Sequence, residues 1–245
     1  MENTYLIHCE QLTVDSNING RIIGALNLSA RAGEIISILG PDHESKSDWL
    51  QTIAGILEAG SGQLFLSGRD TLEFDKQDWV NARSQFSYVH ADTAILSAAN
   101  ALQNLMLPVM YHKTGQPEEL RAKAQQLLQD IEAGDKLELL PAYLTKEQRY
   151  KIAVARALML EPQALFLESP FTALDQSSVN QFKQFLLNKV RNDNLLLILA
   201  THDSKFALKY SDQIIFIAKH NVLKFDKIQR IQDCNDPEVC DYLSM

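Results

Sequence analysis

Residues 144–175 read LTKEQRYKIAVARALMLEPQALFLESPFTALD, and this stretch decides the fold. Its first half carries apolar residues at roughly helical spacing, and Pro162 ends the predicted helix. The apolar run at 164–167 is short enough to be a core strand, and a turn that carries Asp175 follows it. We therefore expect functional side chains at the two ends of this helix–strand unit.

Composition and charge narrow the class of protein. With 245 residues and 46% hydrophobic residues, the chain can bury one compact core. A net charge of -8 argues against general nucleic-acid binding, because such binding needs a basic surface that displaces counterions from phosphate. The longest purely apolar stretch, residues 195–200, is too short to span a bilayer. We expect no direct membrane span, so any membrane link runs through a partner.

A second motif, GPDHESKS at residues 40–47, follows an apolar run. Gly40, Lys46 and Ser47 fit the pattern G-x-x-x-x-G-K-[ST]. In that pattern backbone N–H groups and a helix N-terminus cradle phosphates, the lysine neutralises them, and the hydroxyl holds Mg²⁺. The motif predicts a phosphate site between a buried strand and a helix that begins near Asp48.

The same loop also departs from the pattern. Ser45 replaces the second glycine, and Asp42 and Glu44 place carboxylates in the wall of an anion site. Two like charges about 4 Å apart repel by roughly 4 kcal/mol at an effective dielectric of about 20, enough to remove most of a micromolar affinity. The loop is therefore either a weak phosphate site or one filled by its own chain, with Glu44 or Asp48 paired to Lys46.

The unit at 144–175 resembles the signature helix, Walker B strand and D-loop of an ATP-binding cassette ATPase, the motor subunit of ABC transporters. The resemblance covers nearly the whole chain. It implies an α/β, P-loop NTPase-like cassette with an antiparallel β subdomain and an inserted helical subdomain. The core would comprise 1–91 and 159–245, and the helical subdomain 92–158.

The signature loop of that family, L-S-G-G-Q, is LTKEQ at residues 144–148. The resemblance implies that Thr145 and Gln148 contact the ATP held by the opposite subunit. Lys146 and Glu147 add side chains where the backbone must approach phosphate closely, and Glu147 brings charge of the wrong sign.

The strand end carries the other altered positions. Glu168 replaces the Walker B aspartate, and its longer side chain can still reach Mg²⁺ together with Ser47. Ser169 replaces the catalytic glutamate, and losing a general base costs about 10² to 10⁴ in rate. Asp175 and His202 match the D-loop aspartate and the switch histidine. Their structural alternatives are a helix cap and a strand-end brace.

Two further family positions lack their usual residue. Ala91 stands where the Q-loop glutamine contacts Mg²⁺, and the neighbouring His90 or Asp92 is a candidate substitute. In the N-terminal part, strands at 5–7, 12–14 and 22–28 are expected to form the antiparallel layer. Val14 lies near the position of an aromatic residue that stacks on adenine, and it offers no ring.

Residues 100–112, NALQNLMLPVMYH, resemble the segment that forms part of the groove for the permease's coupling helix. Leu102, Leu105 and Val109 are candidates for docking, for the core of the helical subdomain, or for both. An amphipathic helix is expected at 117–133.

The end of the chain, NDPEVCDYL, resembles the tail of cassette subunits that serve MCE-type (Mla-like) phospholipid transport. The resemblance makes three tail residues candidates for dimer contacts: Val239, Tyr242 and Leu243.

These features predict a degenerate (pseudo-ATPase) nucleotide-binding subunit of an ABC transporter, a scaffold or regulator for lipid transport. We expect it to bind ATP and Mg²⁺ weakly or not at all. It would pair with a second cassette, identical or not, and lie on the cytoplasmic face of the inner membrane against a permease. The alternative is a weakly active ATPase that works through Lys46, Ser47 and Glu168.

Overall fold

The structure is a computed structural model that describes residues 5–16, 21–22, 24–41, 43–219, 221–226, 231 and 233–244. For residues 15–16, 21–22 and 43–45 it describes the backbone alone. The strands are β1 (Ile7–Thr13), β2 (Asp15–Ser16), β3 (Arg21–Ile22), β4 (Leu26–Ala30), β5 (Ile35–Leu39), β6 (Ser61–Leu66), β7 (Arg69–Asp70), β8 (Phe86–Val89), β9 (Ala164–Glu168), β10 (Leu196–Ala200), β11 (Gln213–Ile217) and β12 (Val222–Phe225). The helices are α1 (His43–Ile53), α2 (Lys76–Gln85), α3 (Ala101–His112), α4 (Pro117–Asp130), α5 (Lys146–Leu158), α6 (Gln176–Asp193), α7 (Ser204–Tyr210) and α8 (Pro237–Ser244).

The central sheet has the strand order β12-β11-β5-β10-β9-β8. Strands β8, β9, β10, β5 and β11 run parallel, and β12 is antiparallel to β11. Because parallel strands end at the same edge, the segments after β5, β8, β9 and β10 meet there, where ligands bind in open α/β sheets.

Both faces of this sheet are covered, so its strands are apolar throughout. In β9, Leu165 and Leu167 belong to the core cluster that includes α3, α4, α5 and α6. Phe166, between them, belongs to the cluster that includes α1 and the antiparallel layer. This alternation explains why continuous apolar runs in the sequence are central strands.

The antiparallel layer has the order β4-β1-β6-β7. The predicted separate strands at 5–7 and 12–14 are wrong, because β1 continues through Gln11 as one strand with a register shift. Gln11 has a φ of 48°, and a Cβ on Gly62 would lie only 2.3 Å from the Gln11 carbonyl oxygen. Glycine at 62 therefore lets β6 pass the irregular part of β1.

Helix α1 also differs from the prediction. It begins at His43, five residues before Asp48, and ends at Ile53. Serine at 45 tolerates helical dihedrals, so no glycine interrupts this turn. Lys46 and Ser47 thus lie in the first turns of a helix.

Helices α3, α4 and α5 lie between β8 and β9 in the chain and pack on one another. Leu102, Leu105 and Val109 are buried in their core, which makes the docking interpretation of these residues wrong. The opposite side of α3 is open to solvent, with Met110 67% and Tyr111 71% exposed.

The tail forms α8 and packs on β11. Val239 is fully buried, so its interpretation as a dimer contact is wrong. The ring of Tyr242 lies 5.4 Å from the ring of Phe216, edge to face, and Leu243 packs against the same cluster. The apolar spacing of the tail therefore serves the core of its own chain.

Candidate nucleotide site

The phosphate-loop lysine lies at the carboxyl edge of the central sheet. Lys46 is 1% exposed, and its Nζ donates to the Gly40 carbonyl oxygen at 2.5 Å. The same Nζ lies 3.2 Å from Nε2 and 3.4 Å from Nδ1 of His202, which follows β10. The structure thus brings together three of the predicted residues. Asp42 lies outside the described residues, and the side chains of Glu44 and Ser45 are also not described.

Position 40 requires glycine for steric reasons. Its φ is +148°, and a Cβ there would lie 2.5 Å from the Ile217 carbonyl oxygen at the end of β11. Glycine therefore lets the loop leave β5 beside its neighbouring strand.

The carboxylate of Glu168 is held at both oxygens. Ser47 Oγ donates a hydrogen bond to Oε1. Oε2 accepts hydrogen bonds from Tyr88 OH at 3.4 Å and from the Ala91 backbone N–H at 3.3 Å, and His90 Nδ1 lies 3.5 Å from it. Glu168 is 8% exposed. The two candidate metal ligands, Ser47 and Glu168, are thus in direct contact.

Two tyrosines that the sequence analysis missed complete these surroundings. Burial and the charge of Glu168 raise the pKa of Tyr88 and of Tyr150 above the ordinary range, so both hydroxyls remain protonated donors. Tyr150 OH donates to the Glu168 carbonyl oxygen at 3.2 Å. The available sequence signal was the position of Tyr88 near the end of β8, since parallel pairing places that end beside Glu168.

Ser169 stands in an uncommon backbone conformation. Its φ is +47°, in the left-handed region that few residues other than glycine adopt. Its N–H donates to the Ala200 carbonyl oxygen at 2.9 Å, which fixes the residue at the end of β9. The residue after Glu168 is therefore a nearly buried serine at the carboxyl edge of the sheet.

At the start of α5, Thr145 and Gln148 bond to each other. Thr145 Oγ1 accepts the Gln148 backbone N–H at 3.1 Å, and Gln148 Oε1 accepts the Thr145 backbone N–H at 3.0 Å. This reciprocal pair is a capping box, so both side chains satisfy the N-terminus of their own helix.

Glu147 turns inward, which corrects the expectation that it presents its charge to phosphate. Its carboxylate pairs with Lys151 Nζ at 2.8 Å and accepts the Asp175 backbone N–H at 3.3 Å. Partial burial acts to raise the pKa of Glu147, but hydrogen bonds from Lys151, Ser178 and Asp175 prevail and hold it below the ordinary value.

Asp175 caps a helix, which was the structural alternative to a D-loop role. Its carboxylate caps α6 by accepting the backbone N–H groups of Ser177 at 3.0 Å and Ser178 at 2.8 Å. The Ser177 hydroxyl and these N–H groups hold the pKa of Asp175 below its usual range.

A groove runs between α3, α5 and the end of β8. Its lining residues include Tyr88, Leu107, Pro108, Tyr111, Ala153 and Arg156. Within the described ranges, the structure contains no helix with the length and apolar character of a membrane span.

Comparison with known proteins supports this architecture. A family model described as "ABC transporter" matches residues 23–172. The sulfate/thiosulfate import ATP-binding protein CysA of Nephroselmis olivacea is 27% identical over 87% of this chain, which spans 60% of that relative's length. The lipoprotein-releasing system ATP-binding protein LolD of Coxiella burnetii is 26% identical over 89% of this chain and 95% of its own. The dimeric structure of the ATP-binding cassette MJ0796 bound to ADP and Pi has a TM-score of 0.81 at 24% identity, covering 90% of this chain and 98% of its own. These likenesses confirm the predicted cassette fold.

Proposed function

Because the chain belongs to the ABC transporter family, we propose that it is a degenerate ATP-binding subunit that hydrolyses ATP at no more than background rate. The observation that carries this proposal is the serine at 169. The neighbouring carboxylate, Glu168, already accepts hydrogen bonds from other residues of its own chain. The subunit acts as a scaffold or regulator of a transporter.

The chemistry of the strand end supports the loss of hydrolysis. A general base needs a pKa near the operating pH and must reach the attacking water. The Ser169 hydroxyl has no useful basicity at neutral pH, and the adjacent Glu168 accepts hydrogen bonds from Ser47, Tyr88 and Ala91. Without a base, we expect a rate loss of about 10² to 10⁴, before other changes are counted.

We infer weak nucleotide binding, because the loop keeps some phosphate-binding groups while others are replaced or already occupied. Lys46, Gly40 and the first turn of α1 provide a cation and N–H groups for phosphate. Phosphate must displace Lys46 from the Gly40 carbonyl oxygen, and the chain has serine at 45 where the pattern has its second glycine. On the partner-facing side, Thr145 is already committed to Gln148. We therefore propose an affinity for MgATP no tighter than high micromolar.

The partners are a permease and a second cassette, the same chain or a related one. The groove between α3 and α5 is the surface we assign to the permease, because exposed Tyr111 and half-buried Leu107 give it an apolar rim. We propose that the subunit lies on the cytoplasmic face of the membrane.

Lipid transport is the cargo class that we propose. It rests on the tail resemblance at 235–243 and on the match to LolD, named as a lipoprotein-releasing subunit. CysA is named for sulfate/thiosulfate import, so import of small anions is the hypothesis that competes with lipid transport.

A slow ATPase is the second candidate. It is favoured by the direct contact of Ser47 and Glu168, which places a hydroxyl and a carboxylate oxygen together near Lys46 as two of the ligands of a Mg²⁺ ion. In a slow ATPase, Mg²⁺ would bind between the side chains of Ser47 and Glu168. The partner subunit would supply the catalytic groups that this chain lacks.

Calorimetric titration with MgATP tests the nucleotide half of the proposal. We expect weak binding by the wild type, none by Lys46→Ala, and tighter binding when Ser45→Gly is combined with Asp42→Asn and Glu44→Gln. Low-micromolar binding by the unmodified chain would contradict the proposal.

A further inference from the structure

The carboxylate of Glu168 has most of its acceptor positions filled by its own chain. An ionised carboxylate offers about four lone-pair positions to donors. Ser47 donates to one oxygen, while Tyr88 and the Ala91 N–H donate to the other, with His90 Nδ1 3.5 Å from the latter. Few positions are left for a further ligand.

The sheet register builds this arrangement. Strand β8 pairs in parallel with β9, with Val89 opposite Leu167, so the residues after Val89 lie beside Glu168. Glutamate is one methylene longer than aspartate, and this extra length carries its carboxylate to both Ser47 and the end of β8.

Magnesium does not fit the site as it is arranged. Mg²⁺ requires near-octahedral oxygen ligands at about 2.1 Å. To bind here, the ion must break the Ser47–Glu168 hydrogen bond and take an oxygen that other donors hold.

We propose that Glu168 occupies the place of the metal, and that the site takes nucleotide polyphosphate as the metal-free anion. This inference rests on the proposed nucleotide-binding function. Buried Lys46 and the N–H groups at the start of α1 supply the positive potential. The donors on Glu168 direct its carboxylate toward Ser47 and β8.

Calorimetric titration with ATP, in Mg²⁺ and in EDTA, tests the inference. Because Mg²⁺ binds ATP in solution and depletes the metal-free anion, the wild type should bind ATP more weakly in Mg²⁺ than in EDTA. Glu168→Asp, one methylene shorter, should release Ser47 and make binding tighter in Mg²⁺ by about tenfold or more. Glu161→Asp, on a side chain that is 80% exposed, is the matched control and should behave as wild type. Wild-type binding that is as tight in Mg²⁺ as in EDTA, or tighter, would overturn the inference.

Mn²⁺ alone, followed by electron paramagnetic resonance, separates this inference from the proposed function. If ATP binds in neither buffer, the nucleotide-binding function fails, and Mn²⁺ decides the metal question. Absence of stoichiometric Mn²⁺ binding to the wild type would support the inference. Stoichiometric binding that Glu168→Ala removes would overturn it.

Discussion

The Glu147 carboxylate accepts the backbone N–H of Asp175 at 3.3 Å and thereby ties the first turn of α5 to the turn before α6. Lys151 completes the clasp, since its Nζ lies 2.8 Å from Glu147 and its side chain is 6% exposed. The glycine that the family signature has at this position provides no such side chain. The clasp therefore fixes two loops against each other within one chain.

Replacing Glu147 with alanine should reduce stability markedly. The change leaves the nearly buried ammonium of Lys151 without its carboxylate, and we expect a loss of about 1 to 3 kcal/mol in the free energy of unfolding. Chemical denaturation measures this loss. Glu161→Ala is the control, because its pair with Lys123 is exposed and should contribute no more than about 1 kcal/mol. Equal losses in the two variants would refute the clasp.

The clasp should also weaken in acid. The folded-state pKa of Glu147 lies below its ordinary value of 4.5, so its contribution to stability is complete above that value. It is lost as the pH falls through the folded-state pKa. The stability gap between wild type and Glu147→Gln should therefore be constant near neutral pH and shrink below about pH 4.5. A gap that stays constant down to about pH 3 would contradict this assignment.

Thr145→Ala should destabilise α5 by about 1 kcal/mol, because the capping box loses the oxygen that accepts the Gln148 N–H. Thr145→Ser keeps that oxygen and should retain most of the stability. Urea unfolding of the three proteins checks both statements. An unchanged midpoint for Thr145→Ala would show that the cap contributes nothing.

The groove predicts which surface holds the permease. Tyr111→Ser changes an exposed side chain, so folding should be unaffected while co-purification with the permease is lost. Leu72→Ser is the matched control, since Leu72 is 79% exposed and does not line the groove. If both variants co-purify as well as wild type, the permease binds elsewhere.

The central strands could be located from the sequence because both faces of the sheet are covered. The run at 164–167 therefore reads as a continuous apolar segment. The resemblance at residues 100–112 marked the segment that forms α3 but could not tell core from docking surface. Leu102 and Tyr111 differ in burial because of which side of α3 packs on α5.

The side-chain directions in the site could not be predicted. Glu147 turns inward because Lys151 lies one helical turn away and the Asp175 N–H needs an acceptor. Tyr88 reaches Glu168 only because β8 pairs with β9 in a particular register, which no local pattern contains. The contacts of Glu147 with Asp175 and of Tyr88 with Glu168 depend on tertiary structure.

The central claim is that the subunit no longer turns over ATP. Adding one missing group should not restore hydrolysis, because the groups of one site act together and their losses are not additive. We therefore expect Ser169→Glu to remain inactive, like wild type.

Phosphate release from ATP in Mg²⁺, measured on purified wild type and Lys46→Ala side by side, tests this claim most directly. Lys46→Ala also reports any contaminating ATPase, since contamination does not depend on Lys46. The account predicts equal rates at the assay background for the two proteins. Sustained phosphate release by the wild type that Lys46→Ala abolishes would contradict it.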